Sequence, residues 1–173
     1  SAASDVYKRQ PDEVGRAKFS AMRERSIGVG ALGFHAYLQK NNIAWESPQA
    51  KGANIRIFRH IRSKLDDANK ELGKERGAAP DMGDTGKRFS HLMAVAPNAS
   101  SSIIMGNTSP SIEPFRANAY RQDTLSGAYL NKNKYLDAII TEYCEKHPRS
   151  NYDEIWSSII SNDGSVQHLT QLT

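Results

Sequence analysis

The stretch from Ser47 to Gly77 does most to limit what this chain can fold into. Ser47-Pro48 reads as a helix N-cap followed by proline in the first turn, where the ring's fixed φ suits a helix and its missing N–H is no loss. Ile55, Phe58, Ile61, Leu65, Ala68 and Leu72 then recur every three or four residues, while Arg, Lys, Asp and Glu take the other face. Gly77 stands where a left-handed C′ residue is expected, and Pro80 follows shortly after. The spacing predicts one long helix over residues 48–76, whose apolar stripe needs other elements to cover it.

Around that helix the pattern is weaker. Ile27, Ala31, Phe34 and Leu38 share one face of a predicted helix that ends near Lys40. Residues 77–90 are a loop by composition. HLMAVA, residues 91–96, is a short buried strand candidate, and residues 115–130 alternate enough for short strands. A helix is expected over residues 133–146, with Tyr135, Leu136, Ile139, Ile140 and Tyr143 on or near one face. Another begins at Tyr152, with Asp153 near its N-terminus. Helices outnumber strands and the best strand lies between helices, which favours an α/β fold that is rich in helix. Residues 1–20 are polar and weakly patterned and read as a tail, non-native or disordered. Their first ten, SAASDVYKRQ, resemble a tag or adaptor-derived translation. Residues 21–173 read as one domain.

Bulk properties exclude some functions. A chain of 173 residues that is 38% hydrophobic and 24% charged can build one core. No apolar run approaches the roughly 20 residues of a membrane span, and no signal-peptide pattern opens the sequence. Cys144 is the single cysteine, so no internal disulfide can form, which fits a reducing, cytoplasmic setting. The net charge of +4 is spread among acids rather than gathered on one face. That favours a solvated, slightly basic surface over a nucleic-acid interface.

Several motifs imitate known chemistry. Gly28, Gly30 and Gly33 spell G-x-G-x-x-G, but the preceding MRERSI is too charged and short to be the buried strand that a dinucleotide fold requires; small residues for close helix packing are the better reading. GDTGKR, residues 83–88, lacks the first P-loop glycine, since position 81 is Asp81, and Arg88 replaces the Ser or Thr. The five histidines, at 35, 60, 91, 147 and 168, are scattered without metal-ligand spacing, so no metal site is expected. Cys144, mid-helix, reads as a packed or surface cysteine rather than a nucleophile. The segment PNASSS, residues 97–102, admits two readings. A loop that enters a helix presents free N–H groups to an anion, and Ser100, Ser101 and Ser102 add hydroxyls. Alternatively the serines simply cap the helix.

The sequence from Ala96 onward, APNASSSIIMGNTSPSIEPFRANAYRQDTLSGAYLNKNKYL, resembles the substrate-phosphate loop and following segment of the large (α) subunit of class I ribonucleotide reductases. The matching elements are Pro97-Asn98-Ala99-Ser100-Ser101, then Ser111-Ile112-Glu113-Pro114, then Leu125-Ser126-Gly127. RERSIGVGALGFHAYL, residues 23–38, is similar to the family's Arg-x-x-x-Gly-x-Gly-x-x-Gly helix, and NDGS at 162–165 also fits. The resemblance implies that residues 21–173 are a piece of a ten-stranded α/β barrel that reduces ribonucleoside diphosphates to deoxyribonucleotides by thiyl-radical chemistry. It implies that Asn98, Ala99, Ser100 and Ser101 bind the substrate's phosphate and that Pro97 sets the loop entry. It implies a radical-generating metal small (β) subunit as partner, allosteric ATP or dNTP, and a homodimeric parent, with no cofactor in this chain, no membrane and no direct nucleic-acid contact. The family's Asn-x-Cys-x-Glu strand and redox cysteine pair have no counterpart here. Its radical-transfer tyrosines would lie beyond residue 173 and its allosteric region before residue 20. No catalytic residue is therefore expected in this chain, sheet edges and apolar surface would be left open, and the alternative is a non-catalytic nucleotide- or phosphate-binding module.

Overall fold

A computed structural model describes residues 14–124 and 127–172. In chain order it contains helix α1 (Gly15–Glu24), helix α2 (Phe34–Lys40), helix α3 (Pro48–Arg76), a 3-10 turn (Pro80–Thr85) and helix α4 (Ala99–Ile104). Strands β1 (Ala119–Thr124) and β2 (Gly127–Lys132), helices α5 (Lys134–Lys146) and α6 (Tyr152–Ser161), and a last 3-10 turn (Thr170–Leu172) follow.

The long helix forms where its signals stand. The Ser47 hydroxyl accepts the Ala50 N–H at 3.1 Å, and Gly77 ends the helix at φ 79°. Its buried line is not the predicted stripe. Ala50 and Ala53 are buried toward one end and Asn69 and Gly73 toward the other, while Ile55 stays 41% exposed. Asn69 works as a surrogate strand partner. Its side-chain amide donates to the Phe89 carbonyl (3.0 Å) and accepts the Phe89 N–H (2.8 Å). A Cβ on Gly73 would sit 1.9 Å from the Gly86 carbonyl oxygen, so only glycine lets the loop after the 3-10 turn lie this close. Arg88 closes the junction by donating to the carbonyls of Arg76 (2.8 Å) and Gly77 (3.1 Å), a cation at a helix C-terminus.

Four readings of the sequence need correction. Residues 27–33 are not helical: Ile27 N–H donates to His91 O (3.0 Å) and Val29 N–H to Leu92 O (2.9 Å), and the helix waits until Phe34. The run 91–96 is not a buried strand. It makes one parallel bridge, Val29 with Met93, and only Leu92 is buried, because among the described residues only the 27–29 segment pairs with it. Residues 15–20, taken as tail, are helical, although α1 buries nothing and leaves Phe19 66% exposed. The loop 77–90 contains a 3-10 turn, tied to α1 by the Arg23–Asp81 ion pair. Residues 1–13 of the predicted tail lie outside the described residues.

The expected short strands are the antiparallel pair β1–β2, with Ala119 opposite Lys132 and Thr124 opposite Gly127. Among the described residues this is the one sheet, so the architecture is helix-rich with a small sheet, and the stretch does not itself form a ten-stranded barrel. Most apolar burial among the described residues falls into two clusters, with Ala36, Ala79, Phe89 and Leu92 buried outside them. Phe34, Leu38, Ala50 and Ala53 join α2 to α3. Ala119, Leu136, Ile140, Ile155, Trp156, Ile159 and Leu169 join β1 to α5, α6 and the C-terminal residues. Asn133 stitches them together: it caps α5 through Oδ1 (Tyr135 N–H at 3.0 Å) while its amide nitrogen donates to Gln39 (3.1 Å) and Asn118 (3.3 Å). No helix among the described residues is long and apolar enough to cross a membrane.

Candidate phosphate-binding site

Helix α4 starts on Asn98, and its first bonds leave donors unused. Ser102 N–H is the first to close on the helix, donating to Asn98 O at 2.8 Å. Ala99, Ser100 and Ser101 precede it. Their N–H groups make no hydrogen bond among the described residues, and no side chain caps the helix. Asn98 itself turns back, its amide donating to Ala96 O at 3.0 Å. Of the three serines, Ser102 is buried and bonds to Ala99 O (2.7 Å), whereas Ser100 and Ser101 are exposed. The two readings of the serine run thus separate: none of the serines caps α4, and the donors at its head face solvent. Pro97 is also exposed, at the entry to this turn.

Behind the turn runs a groove of about 970 Å³ with Ala99 and Ser102 at one side, Thr108, Phe115 and Arg116 along its wall, and Tyr120 and Arg121 from β1. The wall residues Thr108, Pro110, Phe115 and Arg116 lie on either side of Ser111-Ile112-Glu113-Pro114, which does not itself line the groove. Thr108 N–H donates to Ser102 O (3.0 Å) and Gly33 N–H to Ser109 O (2.8 Å). The buried Ser109 hydroxyl accepts Ala36 N–H (3.1 Å). Ser111, also buried, adopts φ 51°. Residues separated widely in sequence therefore fix this wall onto α2.

His35 is the residue that spacing did not single out. Its Nδ1 accepts the Phe115 N–H at 3.1 Å, and its ring packs edge-on to Trp45 (5.3 Å) and Phe115 (5.5 Å). Burial pushes its pKa below the ordinary histidine value. The one available signal was a histidine on a helix face that also carries buried Phe34 and Leu38.

The other motifs prove structural. Each glycine of G-x-G-x-x-G permits a close approach: an added Cβ would meet Ala94 Cβ at 2.7 Å from Gly28, Ala94 O at 2.8 Å from Gly30, and Thr108 Oγ1 at 2.8 Å from Gly33. Gly33 also takes φ 82° at the head of α2. In GDTGKR, the Thr85 hydroxyl donates to Met82 O (2.8 Å) and closes a turn. Gly164 of NDGS lets the C-terminal loop touch β1, accepting Asn118 N–H on its carbonyl at 3.1 Å. Leu125 and Ser126 lie outside the described residues, and Gly127 opens β2 at φ 126°. Cys144 is half-buried on α5, against the second apolar cluster. Among the described residues no three His, Cys, Asp or Glu gather as metal ligands.

Known proteins share the sequence and fold of this chain. The family model "Ribonucleotide reductase, barrel domain" matches residues 3–85 and 79–173, starting well before the first motif at Arg23. The ribonucleoside-diphosphate reductase large subunit of Invertebrate iridescent virus 6 is 56% identical over 98% of this chain, and that of Invertebrate iridescent virus 3 is 54% identical over 94%. The chain spans 17% and 26% of those two relatives. The class Id ribonucleotide reductase alpha subunit of Actinobacillus ureae superposes with a TM-score of 0.82 at 41% identity, over 98% of this chain and 30% of that one. With the family model spanning nearly its whole length, this chain belongs to the ribonucleotide reductase large-subunit family and covers part of its barrel domain.

Proposed function

We propose that this chain is the part of a ribonucleoside-diphosphate reductase large subunit that holds the substrate's phosphates, with Pro97, Asn98, Ala99, Ser100 and Ser101 as the cradle. The observation that carries this reading is the head of α4, where three successive backbone N–H groups lack acceptors among the described residues and two exposed serine hydroxyls stand beside them. An anion satisfies such donors at once. A phosphate held there orients a ribose without entering the bond-breaking step, which is how binding remote from the chemistry raises rate.

The rest of the reaction belongs to the parent protein. Its ten-stranded barrel would be completed by strands outside this stretch. The thiyl radical would arise on a cysteine that this chain does not carry, since Cys144 is its only one and sits in a helix. A metal-bearing small subunit would supply the radical, ATP or dNTP would regulate it, and the large subunit would pair as a homodimer in the cytoplasm. The isolated chain should therefore form no deoxynucleotide. Its single cysteine also favours a second reading, in which the chain by itself acts as a phosphate- or nucleotide-binding module.

The test is a Ser100→Ala/Ser101→Ala double variant titrated with cytidine diphosphate. Hydrogen bonds to a charged phosphate contribute about 1.5–3 kcal/mol when made. Both hydroxyls are exposed, so the lower end applies, and affinity should drop about tenfold or more. Unchanged affinity would remove these residues from the site. A steep salt-dependent affinity for single-stranded DNA, equal in both proteins, would instead favour nucleic acid.

A further inference from the structure

The groove wall is fixed to α2 at Ser109 through backbone donors, and at its Phe115 end by a side chain of that helix. Phe115 lines the same groove as Ala99 and Ser102, and its backbone N–H is held by His35 of α2, 80 residues earlier. The hydrogen bond fixes the chemistry of the ring. A backbone N–H can only donate, so Nδ1 must keep its lone pair and any ring proton must sit on Nε2. Trp45 and Phe115 pack edge-on against the half-buried ring. We propose that neutral His35 is a positioning residue: by accepting the Phe115 N–H it sets the Phe115 end of the groove wall, and its protonation releases that end. This inference rests on the phosphate reading above for its consequence, but not for its geometry.

The direction of the pH effect follows from the ring's surroundings. The charged residues next along the packed elements are Glu46 beside Trp45, and Glu113 and Arg116 flanking Phe115. Lys40 lies further along α2 itself. None of these shifts His35, whose lowered pKa comes from burial. Above the ordinary value of about 6.5 the ring is neutral whether docked or released, and the wall holds. As pH falls below that value the released form takes up a proton that the docked form resists. Docking is therefore lost progressively as pH falls from about 6.5 through the lower pKa of the docked state. In the protonated ring Nδ1–H would point at the Phe115 N–H, donor against donor.

Two substitutions separate acceptor from bulk. His35→Asn keeps an acceptor near the position of Nδ1 and cannot titrate. His35→Leu keeps an apolar side chain and removes the acceptor. Cytidine diphosphate affinity is measured for the three proteins between pH 5.5 and 8, with ¹⁵N spectra of the imidazole and of the Phe115 amide. The ligand's own phosphate titrates in this range, so the readout is the ratio of affinities at each pH. His35→Asn should match the wild type at pH 7.5 and bind several-fold more tightly than it at pH 5.5, while His35→Leu should be weaker than both at pH 7.5. The wild-type Nδ1 should show the shift of an unprotonated ring nitrogen at pH 7, and the Phe115 amide should move with His35 titration. Equal affinities for all three proteins at every pH would overturn the proposal. If the wild type binds no cytidine diphosphate at any pH, the phosphate reading fails, and the spectra alone decide the positioning role. A Phe115 amide that moves with His35 protonation in the wild type and stays fixed in His35→Asn upholds it, and one insensitive to His35 sinks it.

Discussion

At the scale of single residues, a few polar side chains do work that apolar contacts do elsewhere. Asn69 is buried toward the C-terminal end of α3, and its amide bonds both backbone groups of Phe89. Removing the amide leaves a buried donor and a buried acceptor unpaired, at about 1–3 kcal/mol each. An Asn69→Ala protein should therefore be about 2–4 kcal/mol less stable, measured by urea unfolding. A loss under about 0.5 kcal/mol would mean that water takes over both bonds. Asn69 was invisible to pattern reading because a polar residue in a helix is normally exposed, and its partner lies 20 residues downstream. His35 was hidden for the same reason. The serines of the candidate site were legible, but as a run of hydroxyls next to a proline; which of them faces solvent depended on the hydrogen bond from Ser102 to Ala99.

At the scale of elements, local signals worked where caps and periodicity agreed. Helices α3, α5 and α6 begin on Ser47, Asn133 and Asn151, each with its side-chain oxygen on first-turn N–H groups. The reading failed over residues 27–33, where a helix-like spacing of apolar residues is interrupted by three glycines. There the neighbour that decides the conformation is the distant 91–94 segment. It also missed α1, a helix that buries no residue. Glycine has opposite meanings within α3. Gly52 has nothing within 4 Å of an added Cβ, so Gly52→Ala should stabilise the protein by about 0.5–1 kcal/mol through helix propensity. Gly73→Ala would drive a methyl into the Gly86 carbonyl and should destabilise despite the same propensity gain. Thermal unfolding of the two variants should show melting temperatures moving in opposite directions, and a common direction would refute the steric account.

For the molecule as a whole, burial is divided and surface is left open. Ile104 is 84% exposed, Val95 68% and Met105 66%, apolar groups that lie at or beside α4. The chain spans 17–30% of the length of these relatives. Among the described residues two buried clusters stand apart, with Ala79, Phe89 and Leu92 buried outside both, and what joins the two is a few polar bonds, those of Asn133 to Gln39 and Asn118 among them. A narrow join transmits little cooperativity, so the two halves should open independently. In amide exchange under increasing denaturant, Leu38 and Ala53 should converge on one opening free energy, and Ile140, Trp156 and Ile159 on another; a single shared value would show one cooperative unit. The Asn133 amide therefore acts as a fuse: cutting it should leave each half protected on its own timescale while the groove, walled on one side by residues tied to α2 and on the other by β1, loses its shape, so that affinity for an anion would fail before either half melts.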